Sequence, residues 1–217
     1  MTYYHRIRLS RILLCILSVL CITGCGARVN TVDFYENLDK RVLTVDGEDY
    51  PLRYMSLYIA YQESVVQEDA LMYDPDNPMK YWNIHTNGEF IRVRARDEAM
   101  DSAIHDIIFL NMANADEVEL SEEERKFALS TFGDFWDDLS DEQREMMAGI
   151  YDDMKNGAIE MALAQKYQVI YAAMEDADIE DYDKDGQAYL DMLEVHDIKI
   201  DEYLWKGLGF GTITLIY

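Results

Sequence analysis

The sequence predicts a mainly α-helical domain with a small β-sheet built from the two ends of the chain that remains after a leader is removed. Three observations carry this reading. Apolar residues recur every three to four positions over three long stretches, about residues 51–73, 89–114 and 150–174. Two segments, Ser121-Glu122-Glu123-Glu124 and Ser140-Asp141-Glu142-Gln143, have the capping-box form that opens a helix. Val42–Val45 and the tail Thr212–Ile216 are rich in β-branched residues, which favour a pleated conformation.

Taken in order, the chain begins with Arg6, Arg8 and Arg11 and no acidic residue, followed by the apolar run Ile12–Ile22. A basic stretch ahead of a short apolar one is the pattern of a secretory signal, and the run is about half the ~20 residues needed to span a bilayer. Its ending, Ile22-Thr23-Gly24-Cys25, resembles the lipobox of bacterial lipoproteins. That resemblance implies cleavage after residue 24 and lipidation of Cys25, which anchors the chain to the outer face of the cell membrane. Residues 1–24 are then the signal peptide, 25–40 a tether, and 41–217 the domain.

Within the domain, Val42–Val45 reads as a strand and Asp46-Gly47 as a turn, because glycine accepts a positive φ without a Cβ clash. Pro51 suits a first helical position, where its missing N–H is no loss. The helix it opens runs to about Tyr73, burying Leu52, Met55, Ile59, Val66, Ala70 and Tyr73. Asp74-Pro75-Asp76-Asn77-Pro78 ends it, and Met79–Gly88, with Trp82 inside, reads as a loop. A second helix spans Glu89 to about Asn114. The capping boxes open a third, carrying Phe127, Phe132, Phe135 and Trp136, and a fourth. A fifth runs from about Ile150 to Met174 through Asn156-Gly157, since an interior glycine costs only about 1 kcal/mol. A shorter helix over about Gly186–Glu194, the segment Asp197–Ile200 and a helical turn at Leu204-Trp205 precede the tail. The tail is expected to pair with Val42–Val45, because two isolated strands would leave backbone groups unbonded.

Charge and cysteine content narrow the function. Loss of the leader leaves 193 residues and moves the formal charge from −24 to −27. Such a surface repels phosphate backbones, so nucleic acid is excluded as a partner, and no basic patch can hold the chain on anionic lipid. Cys15 and Cys21 depart with the leader, leaving Cys25 alone. The mature chain therefore has no internal disulfide, no cysteine-based zinc site and no free thiol for catalysis.

Two further sets of residues carry the resemblance to a larger family. Val42-Leu43-Thr44-Val45-Asp46-Gly47 with the helix from Pro51, and the Ser121 and Ile150 helices, resemble the N-terminal chaperone domain of the SurA/PrsA extracytoplasmic foldases. The chain lacks the glycine-rich stretch and histidine-bearing strand of that family's parvulin-type prolyl isomerase domain. The resemblance thus implies binding of unfolded or secreted polypeptides without isomerisation, and no cofactor. A lipoprotein that docks one folded partner is the alternative, as is a degenerate isomerase relative.

Motifs for other chemistry are incomplete. Asp181, Asp183 and Asp185 match the first half of an EF-hand calcium loop, but Tyr189 and Met192 stand where its later ligands belong, so an acidic solvated turn is the reading. His85, His105 and His196 form no metal or triad motif, and Gly207-x-Gly209-x-Gly211 opens no helix after a strand. The peptide-binding residues expected are the stripe Tyr54, Tyr58 and Tyr61, with Trp82 and Trp136. Large amphipathic rings bind extended chains at low entropic cost.

Overall fold

A computed structural model describes residues 32–217, and the leader and Cys25 lie outside them. The chain is mainly helical, as the periodicity requires. Asp46 and Gly47 both take positive φ, 52° and 88°, which is the two-residue hairpin turn that Asp-Gly favours. Strand β1 (Arg41–Val45) therefore folds back on β2 (Glu48–Pro51), with Val45 opposite Glu48. Pro51 is extended and closes β2 rather than opening a helix; a 3-10 turn over Leu52–Met55 leads into α1 (Ser56–Tyr73).

The sheet differs from expectation at its other edge. Strand β5 (Ile198–Ile200) lies antiparallel to β1, with Leu43 opposite Ile200 and Val45 opposite Ile198, giving the order β2-β1-β5. The tail does not pair with β1, because that edge is occupied and because the tail's backbone donors are taken elsewhere. Glu63, fully buried on α1, accepts from Gly211 N at 2.5 Å, Ile213 N at 3.2 Å, Thr214 N at 2.7 Å and Thr214 Oγ1 at 2.7 Å. Four donors fill the lone-pair sites of both oxygens, the pattern of an ionised carboxylate. Burial pushes this carboxyl above its ordinary value, and the four donors oppose that shift.

The segment read as a tether also belongs in part to the fold. Phe34 is buried, and the Tyr35 hydroxyl donates to Ile213 O at 3.1 Å. Val32 N donates to Gly207 O. The expected loop at 79–88 holds a helical turn, α2 (Met79–Trp82), and a hairpin of β3 (His85–Thr86) and β4 (Glu89–Phe90). Trp82 is fully buried and donates to Gln67 Oε1 at 3.1 Å. Gly211 (φ +95°) lies against its ring so closely that a Cβ would fall 2.7 Å from Trp82 Cδ2, which leaves glycine as the residue that fits.

The helical body is α1, α3 (Ile91–Ala115) and α6 (Tyr151–Met174) packed on one another, with α6 unbroken through Gly157. That glycine faces Leu57, so α1 and α6 approach closely there. Both capping boxes form: Ser121 caps α4 (Glu122–Asp137) and Ser140 caps α5 (Asp141–Met147). After a 3-10 turn at Ile179–Tyr182 come α7 (Gln187–Leu193) and α8 (Glu202–Lys206). Among the described residues, no helix is long and apolar enough to cross a membrane.

Candidate functional site: a cleft between α1 and α4

Helix α4 packs principally on α6 and stands apart from α1. Its end meets the start of α6 through Phe132 and Trp136, which lie 5.4 and 4.8 Å from the Tyr151 ring. Its start is held further along α6 by Lys166 Nζ, which donates to Glu124 Oε2 at 2.8 Å and to Glu119 O at 2.9 Å. The two helices are therefore antiparallel. The space left between α4 and α1 is a cleft of about 1280 Å³. Ala158, Met161 and Ala162 of α6 line it, together with Phe127, Phe132 and Phe135 from α4 and Leu57, Tyr58 and Tyr61 from α1.

The aromatic lining is partly open to solvent. Phe127 is 75% exposed, Tyr61 58% and Val169 53%. On α1, Val65 and Met72 continue from Tyr61 at helical spacing and are exposed as well, outside the cleft lining. Exposed apolar groups gathered in a concave space are what a binding groove for apolar segments presents.

A polar network borders the same cleft. The Tyr58 hydroxyl donates to Asp106 Oδ2 at 3.2 Å, and His105 Nδ1 lies 3.1 Å from Asp106 Oδ1. His105 Nε2 lies 3.0 Å from Tyr182 O, so both ring nitrogens face acceptor oxygens, one from the Asp106 carboxyl and one from the turn. Gln168 donates to the same carbonyl and to Asp183 Oδ1. With Nε2 occupied in this way, His105 is a structural brace between α3 and the Ile179–Tyr182 turn rather than a free base.

Of the five aromatic residues expected to bind peptide, the structure brings only Tyr58 and Tyr61 to this cleft. Tyr58 is buried, and its hydroxyl is pushed well above the ordinary tyrosine value by desolvation and by Asp106. Tyr54 packs edge-on to Tyr50 at 4.9 Å and lies behind the cleft, its hydroxyl raised by burial and by Glu160. Trp82 is in the core, and Trp136 packs on Tyr151 away from the opening. The expected groove of five rings is thus corrected: positions 54, 58 and 61 share one face by spacing, but Tyr54 lies in the 3-10 turn against Tyr50 and Tyr58 is covered where it meets Asp106 of α3, so only Tyr61 of the run is exposed.

Asp181, Asp183 and Asp185 fare differently. Asp183 and Asp185 line one end of the cleft beside Lys184, whose Nζ donates to Glu98 Oε2 at 2.9 Å and Ser102 Oγ at 2.8 Å. Among the described residues, no three histidine, cysteine or acidic side chains converge on a point where a metal could sit.

The start of α4 carries a pH-dependent anchor. Contact with Lys166, and then the Ser121 amide, lower the Glu124 carboxyl to about 2. A folded value below the unfolded one means the ionised form stabilises. That contribution is complete above the ordinary value of 4.5 and is lost as pH falls toward about 2. Glu124→Gln keeps the capping geometry and removes the charge. Its stability deficit relative to the native chain is expected to shrink toward zero between those pH values, as read by urea unfolding across the range. A deficit unchanged with pH would contradict this. Compared with protein-family models, curated proteins and solved structures, the chain matches none.

Proposed function

We propose that this chain is an extracytoplasmic lipoprotein, anchored through Cys25, that holds unfolded or extended polypeptide segments in the cleft between α1 and α4. The observation that carries this reading is the pair of solvent-open rings, Phe127 above all and Tyr61, set in a concave apolar space, whereas the equally exposed Tyr73, Tyr203 and Tyr217 lie outside it. Large, rigid rings and a methionine give contact area that adapts to many side-chain shapes. The resemblance to the chaperone domain of SurA/PrsA foldases supports the same activity, and the export leader supports its place at the membrane face where secreted chains emerge. The acidic surface keeps a protein with such a cleft soluble.

The test is suppression of aggregation with several unrelated unfolded proteins. The purified protein is expected to keep all of them in solution near equimolar ratio. Phe127→Ser, which removes an exposed ring, is expected to lose most of that effect while its melting temperature stays within about 1–2 °C of native, since exposed substitutions away from special features shift stability by under ~0.5 kcal/mol. Protection of one protein alone would favour an adaptor for a single partner, and no protection at all would contradict the proposal.

A further inference from the structure

We infer that the cleft selects segments in which an apolar stretch adjoins lysine or arginine, an inference that rests on the peptide-binding reading above. Apolar and charged groups are segregated along the cleft. At the end where α4 meets Tyr151 and Leu57 faces Gly157, the lining is aromatic and aliphatic. At the other end, where Gln165–Val169 of α6 approaches the start of α4 and the turn after Tyr182, the lining gathers Glu98, Glu123, Glu124, Asp183 and Asp185.

Among the described residues, the only lysines or arginines lining the cleft, Lys166 and Lys184, are already engaged. Lys166 is bound to Glu124 and Lys184 to Glu98. Glu123, Asp183 and Asp185 are exposed and, among the described residues, have no ion-pair partner. This end of the cleft therefore carries an excess of negative charge next to apolar walls, where displaced water weakens screening and strengthens attraction to a cation. A bound segment would lay its large apolar side chains on Phe127, Phe135 and Met161 and place its basic residues at the acidic mouth. An acidic segment would be repelled from the same place, so discrimination comes from both attraction and repulsion.

The experiment uses labelled peptides that share one leucine- and phenylalanine-rich stretch and end in lysines, serines or glutamates, titrated against the whole purified protein by fluorescence anisotropy. The lysine peptide is expected to bind at least about tenfold tighter than the glutamate peptide at low salt, with the gap narrowing at high salt as screening grows. In the double variant Glu123→Gln/Asp185→Asn, both sites being exposed, folding is expected to be native-like and the gap to fall to about twofold. Equal binding of all three peptides, released by Phe127→Ser, would overturn the charge selection and leave the cleft reading standing. A gap that persists unchanged in the double variant would also overturn it. Failure of every peptide to bind would overturn the cleft reading and this inference together.

Discussion

Glu63→Ala is expected to destabilise the fold by about 3–5 kcal/mol, the range seen when one partner of a buried charged interaction is removed. The substitution leaves the Gly211, Ile213 and Thr214 amides and the Thr214 hydroxyl without their acceptor. Each orphaned buried donor costs roughly 1–3 kcal/mol. Removing an anion that is itself costly to bury offsets part of this sum. The tail can also swing outward to solvate its donors, but that exposes Ile213 and uncovers the Trp82 ring behind Gly211. For a domain of this length the loss corresponds to roughly 10 °C in melting temperature. Hydrogen exchange at the three amides is expected to accelerate well beyond that of the rest of the chain. Glu63→Gln keeps the shape but turns an N–H₂ toward donors, so it should fall by a similar order. A Glu63→Ala chain as stable as native, with those amides still protected, would contradict the role assigned to this carboxylate.

Serine substitutions along the tyrosine run are expected to split sharply. Tyr58→Ser removes a buried ring and strips Asp106 Oδ2 of its donor, for a loss of about 3–5 kcal/mol by analogy with buried aromatic truncations. Tyr61→Ser removes a ring that is more than half exposed, and its cost should stay below about 0.5 kcal/mol. Thermal unfolding of the two variants side by side reads this difference. Equal, small losses would mean that Tyr58 is not held in the core.

The contrast shows where local sequence carries the structure and where it does not. Helix starts at Ser121 and Ser140 were legible because the reciprocal hydrogen bonds of a capping box involve only four consecutive residues. The long helices were legible from period. The strand partner of β1 was not: Thr212–Ile216 has the stronger β-branched composition, but pairing is decided by which segment reaches a free edge, and Ile198–Ile200 does so first. Glu63 had a faint signal. It stands where the buried stripe of α1 skips from Ile59 to Val66, so the period places an acidic residue at a core position. The cleft itself depends on α4 leaning away from α1, which no local pattern encodes. Its trace in the sequence is that α4 carries four large aromatics in ten residues, more than one packed face can bury. The acidic turn at Asp181–Asp185 has calcium-like spacing in the sequence, yet the position of Asp183 and Asp185 at the mouth of the cleft is a tertiary fact.

The most direct test of the central claim places a photo-crosslinking amino acid at position 127, on the cleft wall, or at position 195, an equally exposed site outside the cleft lining. Each protein is irradiated with an unfolded client. The account predicts strong crosslinking to the client from position 127, competed by an excess of unlabelled client, and little from position 195. Equal crosslinking from both positions, or none from position 127 while aggregation of the client is still suppressed, would place binding elsewhere and contradict the account.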